Sequence, residues 1–215
     1  MLRVFKFTFN PFQENTYILA NDKNECAIID PGCYNKKEEE TLVTTIKNNQ
    51  LSPTLLLNTH CHIDHVFGND FVSKSFGLTP KIHREEKIVL DNVTRVAEMY
   101  GLHYTKSPNP EYYIGNTIRL GEEELEILFV PGHSPGHVAF HSPTNEILIS
   151  GDVLFRQSIG RTDLPGGDMA TLMDSIKDKL MCLPKNTRIY AGHMEDTTIG
   201  DEMRLNPYLS GLTFT

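Results

Sequence analysis

The chain has 215 residues, of which 39% are hydrophobic and 22% are charged, and a chain of this length can bury a sizeable core, so we expect one domain spanning residues 1–215. Its formal net charge of −8 offers no basic patch for a polyanion, which excludes nucleic acid as an expected partner. No apolar run approaches the ~20 residues that a membrane-spanning helix needs, so we expect no membrane association.

The first half of the chain predicts strands and helices from the spacing of its apolar residues. The predicted elements are strands at residues 2–9, 16–20, 26–30 and 55–58, and helices at residues 36–48, 66–76 and 84–100. Short turns separate the first three strands, which we therefore expect to pair in antiparallel fashion.

The second half repeats this order of strands followed by helices. The predicted elements are strands at residues 117–120, 125–130, 138–141, 147–150 and 188–191, and helices at residues 168–181 and 198–204. Strands, then helices, then strands, then helices in one chain predict an α/β protein in which two sheets are sandwiched between helical layers.

The cysteines and the amino terminus indicate the compartment. Cys26, Cys33, Cys61 and Cys182 show no CxxC spacing, which argues against a thiolate zinc site and against a disulfide framework. The first ten residues lack the unbroken apolar stretch of a signal peptide. We expect a cytoplasmic protein with reduced thiols.

A cluster of potential metal ligands follows the strand at residues 55–58. His60, His62, Asp64 and His65 place three imidazoles and a carboxylate within six positions, and these groups are good ligands for a divalent transition metal. His60 and His62 share one side of an extended segment, whereas Asp64 and His65, where the chain turns into a helix, point to a second position. The competing interpretation is a polar loop that is merely rich in histidine.

Three later strands also run into a histidine or an aspartate. His133 follows residues 125–130, Asp152 follows residues 147–150, and His193 follows residues 188–191, each directly after a glycine. Strand ends at one edge of a sheet are where α/β proteins build their sites, because the strands hold position while the loops carry the chemistry. We therefore expect these side chains to join the cluster.

The run from Thr59 to His65, followed by His133, Asp152 and His193 in that order, resembles the metallo-β-lactamase superfamily, and its glyoxalase II-like branch in particular. The resemblance covers nearly the whole chain. It implies a four-layer αββα sandwich of two mixed sheets flanked by helices, without the C-terminal helical domain of full-length glyoxalase II.

The resemblance also implies a site for two divalent transition-metal ions, with zinc as the expected metal and iron or manganese as alternatives. The implied ligands are His60, His62 and His133 for one ion, Asp64, His65 and His193 for the other, and Asp152 as a bridge between them.

Two such ions ~3.5–4 Å apart can share a water, deliver it as hydroxide and polarise a carbonyl. We expect Asp64 and Asp152 to be the catalytic carboxylates and the substrate to be a small-molecule thioester such as acyl-glutathione, while the oligomeric state stays open. The main alternative is a mononuclear iron persulfide dioxygenase, because such enzymes share the Gly160-Arg161-Thr162-Asp163 run. A non-catalytic metal-binding protein is a third hypothesis. His65 argues against a β-lactamase.

Four further residues have open roles. Asp30 and Thr59 are candidates to hold the outer nitrogens of metal-bound imidazoles. His137 is either a similar support or an ordinary polar residue. Arg161 either pairs with a carboxylate or contacts the substrate, and Cys61, between two expected ligands, should face away from the metals and pack in the core.

Overall fold

Two mixed six-stranded sheets form the centre of the computed structural model, which describes residues 1–210. The first sheet contains, in spatial order, β1 (Arg3–Phe9), β2 (Glu14–Ala20), β3 (Glu25–Ile29), β4 (Ser52–Leu57), β5 (Pro80–Ile82) and β6 (Glu111–Tyr112). Its first three strands pair in antiparallel fashion, as predicted, and the pairs from β3 onward are parallel.

The remaining strands form the second sheet and one small hairpin. In chain order they are β7 (Thr117–Leu120), β8 (Glu123–Phe129), β9 (Val138–Ser142), β10 (Ile147–Gly151), β11 (Leu154–Phe155), β12 (Ser158–Ile159), β13 (Arg188–Ala191) and β14 (Thr197–Thr198). The sheet order is β14-β13-β10-β9-β8-β7, and β11 pairs with β12 to form the hairpin.

Within the described residues, six α-helices flank the two sheets. They are α1 (Lys36–Asn48), α2 (Ile63–Val66), α3 (Asn69–Phe76), α4 (Lys87–Tyr100), α5 (Met169–Ser175) and α6 (Ile199–Leu205). A 3₁₀ turn (Arg84–Glu86) precedes α4, and a π-helical turn (Ile176–Leu180) continues α5. None of the helices in residues 1–210 is long and apolar enough to cross a membrane.

Alternation along the strands produces the layers. In β2, Tyr17 and Leu19 face the second sheet, where they join a buried cluster with Phe140 and Ile149. Ile18, between them in sequence, faces the opposite way and belongs to the cluster that includes Leu42 and Ile46 of α1. Because successive strand side chains point to opposite faces, one apolar strand covers both the inter-sheet core and the helical layer. The predicted αββα sandwich is confirmed.

The helix predicted over residues 66–76 is wrong in one respect, because the chain forms two helices that break at residues 67–68. The Gly68 amide donates to the carbonyl of Pro31 over 2.7 Å. A Cβ at this glycine would lie 2.4 Å from Cys33 Sγ. The close approach of the β3–α1 loop, rather than local propensity, therefore ends α2.

Strand direction brings the expected ligand positions together. β10 is antiparallel to β9 and β9 is antiparallel to β8, while β13 is parallel to β10. The strands β8, β10 and β13 therefore end at the same edge of the second sheet. The loop after β4, although it leaves the other sheet, is tied to that edge because Val138 N donates to Thr59 O over 2.8 Å.

Candidate metal centre

Asp152, which follows β10, lies at the centre of the expected ligands. Its Oδ2 is 3.5 Å from His133 Nε2, 3.4 Å from His193 Nε2 and 4.0 Å from His60 Nε2. Its Oδ1 is 3.4 Å from His65 Nε2. One carboxylate thus lies close to four imidazoles, which come from the three segments that follow β4, β8 and β13.

The other ligand atoms form two groups on either side of Asp152. In each group the potential ligand atoms lie within 4.8 Å of one another, and the members are His60, His62 and His133 in one group and Asp64, His65 and His193 in the other. These are the two sets that the resemblance to the superfamily implied. The structure therefore brings all seven expected side chains to one place.

Asp30 lies on the Nδ1 side of two of the histidines, away from Asp152. Thr59 donates its hydroxyl hydrogen to Asp30 Oδ2 over 2.6 Å, so the Thr59 oxygen is left to accept from His60 Nδ1, 3.1 Å away. The same Asp30 oxygen lies 3.2 Å from His65 Nδ1. Thr59 contacts the outer nitrogen of His60 and Asp30 lies beside that of His65, so Nε2 is in each ring the nitrogen that faces Asp152. Asp30 and Thr59 take the supporting positions that the sequence suggested.

Backbone carbonyls orient the two histidines of the second sheet in the same way. His133 Nδ1 lies 2.7 Å from the carbonyl oxygen of Arg161, and His193 Nδ1 lies 3.2 Å from that of Gln13. A carbonyl only accepts, so each Nδ1 donates a hydrogen to it. The Nε2 atom of each ring is therefore the nitrogen that faces Asp152.

Unpartnered buried atoms show that this arrangement fits metal ions. Within residues 1–210, His60 Nε2, His65 Nε2 and Asp152 Oδ1 are buried and have no hydrogen-bond partner. Such atoms are costly unless something binds them. Burial lowers the pKa of His62 to about 3, so its imidazole is neutral and can act as a ligand. Burial opposes ionisation of Asp152, but His65 and His193 outweigh it and hold the pKa of Asp152 well below its usual value.

Glu86, in the 3₁₀ turn before α4, ties two ligand loops together and was missed by the sequence analysis. Its buried carboxylate accepts from the amides of Cys61 and Gly136, each over 2.7 Å, and from the Ser134 hydroxyl. Burial raises the pKa of Glu86, while these donors act in the opposite direction. The position carries no sequence signal, because a glutamate in a charged run before a helix is ordinary.

The first sheet steadies the loop that carries His193. Asn15 Nδ2 donates to the carbonyls of Ala191 and Met194, over 3.0 Å and 2.9 Å. The Tyr17 hydroxyl also donates to Ala191 O, over 2.6 Å. These two residues of β2 were not predicted as part of the site. They explain how a ligand from one sheet keeps its position against the other.

The remaining predictions concern three residues around the ligands. Cys61 is fully buried in an apolar cluster and burial raises the pKa of its thiol well above the usual value, which confirms its packing role. His137 Nε2 accepts from the Asp152 amide over 3.0 Å and its ring stacks on that of His60, so it supports the ligands. Arg161 forms a bidentate pair with Asp163, with distances of 2.7 Å and 2.6 Å.

The site opens into a cleft of about 1180 Å³. His62, Asp64, His133, Asp152 and His193 line it, so a small molecule in the cleft reaches the candidate ligands directly. A cavity of this size next to convergent polar groups is typical of a substrate site.

Residues 9–193 match the family model of the metallo-β-lactamase superfamily. The chain belongs to this superfamily. The four strand-end loops and the two ligand groups described above therefore lie in the part of the chain that defines the family match.

Two bacterial relatives align with almost the whole chain. The chain is 37% identical over 206 residues to a probable metallo-hydrolase, YqgX of Bacillus subtilis, covering 94% of this chain and 95% of the relative. It is also 37% identical over 203 residues to hydroxyacylglutathione hydrolase GloC of Haemophilus influenzae, covering 93% and 94%. The superfamily match and these relatives support a metal-dependent hydrolase.

Two solved structures also resemble the chain along almost its whole length. BLEG-1, described as a B3 metallo-β-lactamase, superposes with a TM-score of 0.88 at 37% identity, covering 97% of this chain and 100% of that one. TTHA1623, described in a di-iron-bound form, superposes with a TM-score of 0.85 at 36% identity, covering 95% and 100%. The fold and the donor groups support divalent metal ions.

We expect the purified protein to contain close to two transition-metal ions per chain, because the two ligand groups on either side of Asp152 provide enough donors for two sites. Elemental analysis measures the metal content per chain. It is carried out on the purified protein, and again after dialysis with a chelator and re-addition of zinc, iron or manganese. A content of one ion that none of the three metals can raise contradicts the expectation. A stable single iron favours the dioxygenase.

Proposed function

We propose that this protein hydrolyses thioesters of small thiols, such as acyl-glutathione, to a carboxylic acid and a free thiol. The observation that carries the proposal is the convergence of two imidazole-rich ligand groups on Asp152, at the floor of an open cleft. A closed structural metal site lacks such access, because its ligands fill every position around the ion. This cleft leaves room for a substrate carbonyl beside the ligands.

In this proposal, His60, His62 and His133 would hold one ion, Asp64, His65 and His193 would hold the other, and Asp152 would serve both. Such ions, zinc in the first instance, would supply an activated water and a Lewis acid for the carbonyl of the thioester. Asp152 holds the spacing between the two ligand groups and offsets their charge. Asp64 has its Oδ2 3.2 Å from His193 Nε2 and borders the cleft, so it is also placed to accept a hydrogen bond from the attacking water.

The name of one relative supports the thioester class. GloC, which aligns with this chain over almost its full length, is named a hydroxyacylglutathione hydrolase. The walls of the cleft offer few cations for the two carboxylates of glutathione, since Arg161 is already paired with Asp163. We therefore expect a weak Michaelis constant for acyl-glutathione and tolerance of other thioesters, with the chemical step intact.

β-Lactams are a second substrate class to test, because BLEG-1 is described as a metallo-β-lactamase and is 37% identical to this chain. A lactam and a thioester present the same electrophile, a carbonyl carbon, to the activated water. The expectation drawn from His65, that β-lactams are poor substrates, is thus open to direct measurement.

A substrate panel tests the proposed function. The metal-loaded protein is incubated with lactoyl-glutathione, with acyl thioesters of smaller thiols, with a β-lactam, and with glutathione persulfide under oxygen monitoring. We expect release of free thiol from the thioesters, detected with a thiol reagent, at rates above those for the β-lactam. Chelator-treated protein and the same protein reloaded with metal are the matched controls.

Two results contradict the proposal in different ways. Stoichiometric oxygen consumption with persulfide and no thioester cleavage would establish the dioxygenase instead. Faster hydrolysis of the β-lactam than of every thioester would identify the enzyme as a β-lactamase instead.

A further inference from the structure

Apolar side chains that are exposed in the free protein border the same cleft as the candidate metal ligands. Ile88 and Met99 of α4 are 67% and 76% exposed, and both line the cleft together with the half-buried Val96 between them. We call these three residues the α4 wall. Exposed large apolar residues gathered along one cleft mark a surface that another apolar group covers.

Other apolar side chains line the cleft and reach the candidate ligands. Phe12, Phe155 and Leu164 are among them. The ring of Phe155 lies 6.1 Å from that of His193, edge to face, so the apolar surface begins beside a candidate ligand. The Phe12 ring lies 5.9 Å from that of Tyr100 at the end of α4, so it extends the apolar surface of that helix. An alkyl group attached to the reacting carbon or to its sulfur therefore meets apolar surface in the cleft.

Basic side chains along the cleft are few, which does not favour a substrate with several carboxylates. Within residues 1–210, the lysines and arginines that line the cleft are Arg95 and Arg161. Arg161 is held by Asp163 through two hydrogen bonds. Arg95 is thus the one lysine or arginine there without an ion pair in the described part of the chain, whereas glutathione carries two carboxylates.

We propose that the preferred substrates carry a long apolar substituent on the thioester, and that this substituent lies against the α4 wall. The inference rests on the proposed thioester hydrolysis and deepens it by naming the substrate class. The reaction stays balanced as hydrolysis, in which water adds to the carbonyl carbon, the carbon–sulfur bond breaks, and the proton from water ends on the thiolate. The apolar substituent belongs either to the acyl group or to the thiol. In either position it makes the same apolar contacts with the α4 wall.

Chain-length series on each side of the sulfur test the proposal with the metal-loaded protein. One series lengthens the acyl group from acetyl to octanoyl on N-acetylcysteamine, and the other lengthens an S-alkyl group on a thioacetate. Burying one methylene corresponds to about a threefold to fourfold gain, so kcat/KM should rise by about this factor per methylene in at least one series until the chain passes the wall. The series that rises identifies the side that carries the substituent.

Variants of the wall locate the contact. The double substitution Ile88→Gln/Met99→Gln should lower the octanoyl-to-acetyl ratio of kcat/KM by about tenfold, since both side chains are exposed in the free protein and their replacement leaves the core unchanged. Ile114→Gln is the matched control, because Ile114 is 92% exposed and does not line the cleft. Calorimetry with octanoate and butanoate gives a second readout, and the preference for octanoate should disappear in the double variant only.

Each other outcome identifies which statement fails. Thioester cleavage without a chain-length effect in either series overturns the apolar substrate class and leaves the proposed function standing. A chain-length effect of full size in the double variant overturns the placement on the α4 wall. Absence of cleavage for every thioester overturns the proposed function and the inference with it.

Discussion

Asp152→Ala is expected to lose metal affinity together with at least about a thousandfold of the thioesterase activity, equivalent to about 4 kcal/mol in the barrier. The Asp152 carboxylate lies 3.5 Å from His133 Nε2 in one ligand group and 3.4 Å from His65 Nε2 and from His193 Nε2 in the other. Its removal leaves two cations facing each other with less compensating charge. Elemental analysis and kcat/KM on the same preparation measure both effects.

Two variants serve as controls for Asp152→Ala. Asp174→Ala makes the same substitution at an exposed position of α5 and should change neither metal content nor activity. Arg161→Ala should keep both ions, because the Arg161 side chain pairs with Asp163 rather than with a ligand. If Asp152→Ala retains two ions and full turnover, the assignment of Asp152 as the bridge is wrong.

Glu86→Ala is expected to lower the free energy of unfolding by about 3–5 kcal/mol and to weaken metal binding. The substitution leaves the buried amides of Cys61 and Gly136 and the Ser134 hydroxyl without their acceptor. Cys61 lies between two candidate ligands and Ser134 follows a third. Both ligand loops therefore lose the carboxylate that joins them. Thermal unfolding should shift down by about 10 °C in the metal-loaded protein, and a metal-competition titration should show weaker binding.

The neighbouring Glu85 provides the control for Glu86→Ala, since Glu85 is exposed and Glu85→Ala should leave stability and metal content unchanged. Glu86→Gln should fall between the alanine variant and the wild type. Its amide keeps one acceptor, but its nitrogen faces the Cys61 amide, which is itself a donor. A Glu86→Ala protein that melts within about 2 °C of wild type and binds metal equally well would show that the two loops hold themselves in place.

Helix and strand positions followed from the sequence wherever apolar periodicity was strong. α1 (Lys36–Asn48), β7 (Thr117–Leu120) and β13 (Arg188–Ala191) begin and end where the pattern predicts. Short elements such as β5 (Pro80–Ile82) and β6 (Glu111–Tyr112) were not predicted. Their few residues carry no period of their own, and they exist because β5 pairs in parallel with β4 and β6 pairs in parallel with β5, which extends the sheet.

The sequence by itself determined the chemistry of the site. Imidazoles and carboxylates at the ends of four apolar strands are local features, since the side-chain type is given and the strand pattern places it at a turn. Because His60, His133, Asp152 and His193 each follow an apolar strand, we expected these groups to meet, and the structure brings the three histidines within reach of the Asp152 carboxylate.

Only the tertiary structure decided most of the residues that hold the ligands and what surrounds the substrate. The sequence suggested Asp30 as a support, but it did not indicate Glu86, which contacts Cys61 from 25 residues away, or Asn15, which contacts Ala191 from 176 residues away. Each is an ordinary polar residue in its own segment and acquires its role through burial against another layer. The apolar cleft arises in the same way, because α4 packs beside the site and leaves Ile88 and Met99 uncovered. Such contacts depend on packing between distant segments, which local periodicity does not encode.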